Sequence, residues 1–125
     1  MRVTNIRLLT HDFRTMFQFY KEQLGLECMY GHEDSNYADF KLGDIYLSLF
    51  DKALMMEALN YEDAMTDKHI QQIIVVEVTD LNKTYTSLLN KVNVITEPTP
   101  REAWGIKCFH ILDPDNNIIE FYNVL

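Results

Sequence analysis

Polar and apolar positions along the chain follow two strides, alternation and helical steps, in the same order twice. Val3 to Leu9 alternates, as a half-buried strand does. Asp12 then stands where a helix cap belongs. Phe13, Met16, Phe17, Tyr20 and Leu24 follow at helical steps and predict one buried face. Gly25 suits the helix end. Strands are predicted around Leu26 to Tyr30, Tyr37 to Leu42 and Ile45 to Phe50, with Gly43-Asp44 as a tight turn between the last two. In the second half, Ile70 to Val78 is a strand and Asp80 caps a helix carrying Leu81, Tyr85, Leu88, Leu89 and Val92. Short strands follow near Val94, from Lys107 to Leu112 and from Ile118 to Tyr122. The last two flank Asp113-Pro114-Asp115-Asn116, a turn in which Pro fixes φ and Asp and Asn support the bend.

The repeat has a register. Asp12 matches Asp80 at an offset of 68, and Ser48 matches Glu120 at an offset of 72. The extra residues fall in the Thr96-to-Trp104 region, which carries Pro98 and Pro100. Two βαβββ units, an α+β fold, account for this order. A doubly wound α/β sheet does not, because only two helices serve all the strands. One domain over residues 1–125 is expected, with unit one at about 1–52, a linker at about 53–68 that has room for a short helix, and unit two at about 69–125.

Composition narrows the class. With 125 residues, 47% of them hydrophobic, the chain has the means for one packed domain. The longest apolar run in the strand-like segments, Ile73 to Val76, is far too short to cross a bilayer, and the start lacks a signal-peptide pattern, so cytoplasm is expected. A net charge of −8 argues against nucleic acid, which needs a basic stripe. Acidity is compatible with a cationic ligand, though solubility alone also explains it. Cys28 and Cys108 follow no metal or redox spacing and are expected to be free, buried and apolar in role.

The ending Trp104-Gly105 to Phe121, with its aromatic-Gly loop, its Asp113-Pro114-Asp115-Asn116 turn and Glu120 on the closing strand, resembles the C-terminal signature of the vicinal oxygen chelate superfamily. That superfamily includes glyoxalase I, extradiol dioxygenases, and fosfomycin- and bleomycin-resistance proteins. Asn116 stands where the family usually has Gly, and Asn tolerates the left-handed backbone the turn requires. The first helix, Phe17 to Leu26, is similar to the family's "FY…LG" helix. The resemblance covers nearly the whole chain and implies a cupped mixed sheet around a small-molecule cavity. It also implies homodimers in which units from two chains form each cup.

The resemblance further implies a metal site at Asn5, Ser48, Ile73 and Glu120. Of these only Glu120 is an ordinary ligand for a catalytic divalent ion, so no cofactor is expected and a divalent metal is disfavoured. By analogy with the family, Cys108 and His110 face the cavity beside Glu120. His110 and Glu120 are then the candidate catalytic pair, able to bind a metal, move a proton or hold a cationic group, or else a hydrogen-bonded structural pair.

Strand alternation extends the candidate lining to Arg7, Leu9, Val75, Glu77, Ile118 and Tyr122. Arg7 would pair with Glu77 or Glu120, or bind a ligand carboxylate or phosphate. Trp104 would serve as an aromatic platform or pack on the sheet edge. Met55, Met56 and Met65 suit a lid or a subunit interface, and the interface is the favoured reading. The expected function is a metal-free small-molecule-binding protein resembling bleomycin-resistance proteins, its ligand cationic or aromatic. The alternative is a glyoxalase- or dioxygenase-like lyase, isomerase or oxygenase using Glu120 and His110, with or without a non-standard metal.

Overall fold

The side chain of Asp12 accepts a hydrogen bond from the Thr15 amide, and that of Asp80 from Lys83, so both repeats open their helix with the same cap. This computed structural model describes residues 1–60, 72–112, 114 and 117–125. The expectations for Met65, the start of the strand at Ile70, and Asp113, Asp115 and Asn116 of the turn lie outside the described residues.

The first unit runs β1 (Arg2–Thr10), α1 (Phe13–Gln18), a π-helical turn (Phe19–Gln23), β2 (Cys28–Tyr30), β3 (Tyr37–Leu42) and β4 (Ile45–Asp51). Helix α2 (Lys52–Leu59) follows. The second unit runs β5 (Gln72–Glu77), α3 (Leu81–Leu88), β6 (Asn93–Val94), β7 (Thr99–Arg101), a 3₁₀ turn (Glu102–Trp104), β8 (Ile106–Leu112) and β9 (Ile118–Val124). The nine strands among the described residues form one open, curled sheet in the order β2-β3-β4-β1-β5-β9-β8-β6, with β7 paired to β8. The units join where β1 and β5 run antiparallel, Arg7 opposite Ile73. One chain therefore builds the whole sheet.

Helices α1 and α3 cover one face. Phe17 of α1 packs with Ala38, Phe40, Leu47 and Leu49, and Leu81 of α3 with Val76, Phe109 and Phe121. The buried face expected of each helix stops short. A widened turn, with the Leu24 amide bonded to the Phe19 carbonyl, breaks the 3.6-residue stride and leaves Leu24 exposed, while Leu26 packs inward. Helix α3 ends at Leu88, so Leu89 and Val92 are exposed as well. Cys108 is buried, whereas Cys28 is only half-buried on the edge strand β2.

The opposite face receives α2. Its Met55, Met56 and Leu59 are buried against Leu9, Phe50, Ile73, Leu112 and Ile118. Burying each such side chain contributes about 1.5–3 kcal/mol. Met55 and Met56 are therefore core residues of the chain itself and are not available to a subunit interface. Asp51 caps α2 at its start, and Asn60 ends it in the left-handed conformation, φ 45°. Among the described residues, no helix is long and apolar enough to cross a membrane.

Candidate functional site

Where α2 stops, the cup stays open as a cavity of about 820 Å³. On its floor Arg7 of β1 meets Glu120 of β9, brought together because the single strand β5 lies between theirs. Arg7 Nη1 donates to Glu120 Oε2 at 2.8 Å and Nη2 to Oε1 at 3.2 Å, a two-pronged pair. His110 lies opposite Glu120 in the β8–β9 ladder, and its Nε2 is 2.8 Å from the same Oε2. The Thr96 hydroxyl accepts from the His110 amide at 2.8 Å and lies 2.8 Å from Nδ1. A His110 tautomer with its proton on Nε2 satisfies both ring contacts. Glu120 and His110 are fully buried and Arg7 nearly so.

Burial pushes the Glu120 carboxyl up. The charge of Arg7 and the hydrogen bonds from His110 and Arg7 outweigh that and hold it well below the usual carboxylate range. Arg7 keeps its proton, since Glu120 overcomes the desolvation that opposes it. Burial, then the Glu120 charge, pushes the Cys108 thiol up to about 12 against the pull of Arg101 and Arg7. The depressed Glu120 value is a linkage statement with a definite sign. It adds stability above the unfolded carboxyl range, near pH ~4.3, that is lost as pH falls toward the folded value. Between about pH 5 and pH 3 the protein is therefore expected to lose more unfolding free energy than its Glu120→Gln variant. Equal losses in denaturant titrations at the two pH values would refute the assignment.

The walls differ in character. Tyr30, Tyr37, Phe50 and Trp104 form a continuous aromatic side, with successive ring centroids 6.1, 5.6 and 5.7 Å apart. Its shape depends on Gly31, whose φ is +88° and where a Cβ would collide with the Tyr37 carbonyl oxygen. Beside it, Asn5 Nδ2 donates to Ser48 Oγ at 2.8 Å, and Ser48 and Tyr37 hydroxyls both donate to Asp39 Oδ1, at 2.5 and 2.7 Å. Across the cavity Arg101 donates from Nη2 to the Ala58 carbonyl near the end of α2, at 2.8 Å. Its guanidinium sits 5.5 Å from the centroid of Trp104, and that of Arg7 sits 5.8 Å from the same ring.

Of the residues expected at the site, Asn5, Arg7, Trp104, Glu120 and Tyr122 line the cavity. Ser48, Cys108 and His110 lie behind the wall, fully or almost fully buried. Ile73 faces the same side but lies beneath α2, within the cluster that includes Met55. Glu77 is at the sheet end, 2.5 Å from Arg2, because a register shift between Val3 and Asn5 sets it opposite Arg2. Tyr37, Asp39, Phe50 and Arg101, which the sequence does not point to, also line the cavity. The alternation Tyr37-Asp39 against Ala38-Phe40 was the available signal on β3. Arg101 has none, since Pro98 and Pro100 argue against a strand there in sequence.

The family positions do not suit a divalent ion. Both Glu120 oxygens already accept from Arg7, and Asn5 and Ser48 are bonded to each other. Cys108, His110 and Glu120 do bring their ligand atoms within 4.8 Å of one another. An ion there would share Glu120 with a guanidinium and need a thiolate that this burial opposes.

A family model described as Glyoxalase/Bleomycin resistance protein/Dioxygenase superfamily matches residues 2–121. The protein YraH of Bacillus subtilis (strain 168) is 33% identical over 128 residues, spanning 100% of both chains. A solved structure of a glyoxalase/bleomycin resistance protein/dioxygenase superfamily member from Vibrio splendidus 12B01 superposes with a TM-score of 0.72 at 17% identity, covering 97% of each chain. A methylmalonyl-CoA epimerase bound to methylmalonyl-CoA and NH4+ gives 0.67 at 17% identity, covering 97% of this chain and 92% of the other. At such identities the two structures speak for the fold alone.

Proposed function

The chain belongs to the glyoxalase/bleomycin resistance protein/dioxygenase superfamily, and we propose that it serves there as a metal-free receptor for a flat small molecule. The observation that carries this reading is the Arg7–Glu120 pair. The one ordinary metal ligand at the family positions is engaged by a permanent cation through both oxygens. The guanidinium balances the carboxylate charge that a metal would otherwise balance.

Acid–base chemistry by Glu120 is disfavoured on the same ground. A carboxylate held this far below its usual range is a poor proton acceptor, and it does so in a fully buried position. The aromatic wall from Tyr30 to Trp104 supports a planar ligand, and the cavity of about 820 Å³ is of the size that holds one small organic molecule. A ligand that binds only the folded, metal-free protein stabilises it by mass action, whereas a resident metal would do the same for the holoprotein. The melting temperature is therefore expected to stay unchanged when the protein is treated with a strong chelator or mixed with Zn²⁺. A drop on chelation, restored by one metal, would overturn the proposal.

A further inference from the structure

Resting on the receptor reading above, we infer that Arg101 is the anchor for a carboxylate on the ligand, so that the cavity takes an aromatic acid. Two cations line the cavity, Arg7 buried and Arg101 half-buried, and their situations differ. Arg7 is neutralised by Glu120. Arg101 has no carboxylate partner among the described residues. It is held instead by the Ala58 carbonyl and the face of Trp104, contacts that orient it without neutralising it. Its Nε is buried with no hydrogen-bond partner, as is the Nε of Arg7. Arg101 lines the cavity, so a ligand there meets a guanidinium that no carboxylate among the described residues neutralises. A guanidinium with a planar fork suits a carboxylate better than any neutral acceptor.

The rest of the lining favours a monoanion. Asp39 and Glu57 also border the cavity, which opposes a doubly charged phosphate. A cationic ligand meets a different obstacle. Trp104 already has two guanidinium groups within cation–π distance, so a further cation there would be repelled by both. Arg101 is set for this role by the ladder, as the last residue of β7, opposite Ile106 of β8. Trp104 follows in the next turn, so the ring and the guanidinium are presented together.

The probes are naphthoate, naphthamide and naphthamidine, which share a ring system and carry negative, zero and positive charge. Calorimetric titration should rank naphthoate tightest in the native chain. Arg101→Gln should weaken naphthoate by about tenfold while leaving naphthamide unchanged, and Arg101→Lys should recover part of the loss. Unchanged naphthamide binding shows that the cavity survives the substitution. Trp104 is the sole tryptophan, so its indole N–H resonance reports whether each probe enters this cavity. If the probes bind without preference for the acid, or prefer the amidine, the carboxylate anchor is wrong and the receptor stands. If none of the three moves the Trp104 resonance, the receptor reading itself fails.

Discussion

Replacing Arg7 with Met is expected to destabilise the protein by about 3–5 kcal/mol, because it strands the Glu120 carboxylate in a fully buried position without its cation. The two side chains are 7% and 0% exposed, so solvent screens the pair very little. Urea unfolding of Arg7→Met measures the loss directly. Adding Glu120→Leu in the same chain should recover only part of it. The double change removes the stranded charge, yet leaves His110 Nε2 without its acceptor, at a cost of about 1–3 kcal/mol. A single Arg7→Met variant that loses less than about 1 kcal/mol would place the pair among exposed ion pairs in its effect and contradict this assignment.

The second large effect belongs to α2. Met55→Ala should cost about 2–5 kcal/mol, since the side chain is completely buried between Ile73, Leu9 and the rest of that cluster. The Sδ of Met55 also lies 3.7 Å from Arg7 Nη1, so the cavity floor loses its lateral support. The comparison is Leu54→Ala, one residue away on the exposed side of the same helix at 37% exposure, for which less than about 1 kcal/mol is expected. Equal losses at the two positions would mean that α2 does not hold its place on the sheet. A loss confined to Met55 would show that α2 is packed into the cup through this face.

Much of this architecture is legible in the chain itself. Strand alternation and the paired caps at Asp12 and Asp80 mark the repeat because each is a local property with a local cause. What lies beyond them depends on pieces with no periodic signal. Helix α2 is a single short element in the stretch between the units, and its Met55-Met56 pair is as suited to an interface as to a core until the sheet is in place. Strand β7 contains Pro100, which argues against a strand in sequence and is tolerated here because β7 lies off the main path of the sheet.

The site divides in the same way. The resemblance puts Asn5 and Glu120 on the concave face, alternation adds Arg7 and Tyr122, and all four line the cavity. It cannot say that α2 covers Ile73, or that a shift of register beside Asn5 sends Glu77 to Arg2. His110 and Cys108, placed beside Glu120 by the resemblance, sit too deep to touch a ligand. Arg101 gains its meaning only from long-range neighbours, the Ala58 carbonyl and the Trp104 ring.

The central claim is that an internal cation has taken over the Glu120 carboxylate. Elemental analysis by inductively coupled plasma mass spectrometry, on protein purified without chelator, tests it most directly. The expected result is far less than one Zn, Ni, Mn or Fe per chain, unchanged in Glu120→Gln. About one metal per chain, lost in Glu120→Gln, would mean that Glu120 ligates a metal and that the Arg7–Glu120 pair is not its resting partner.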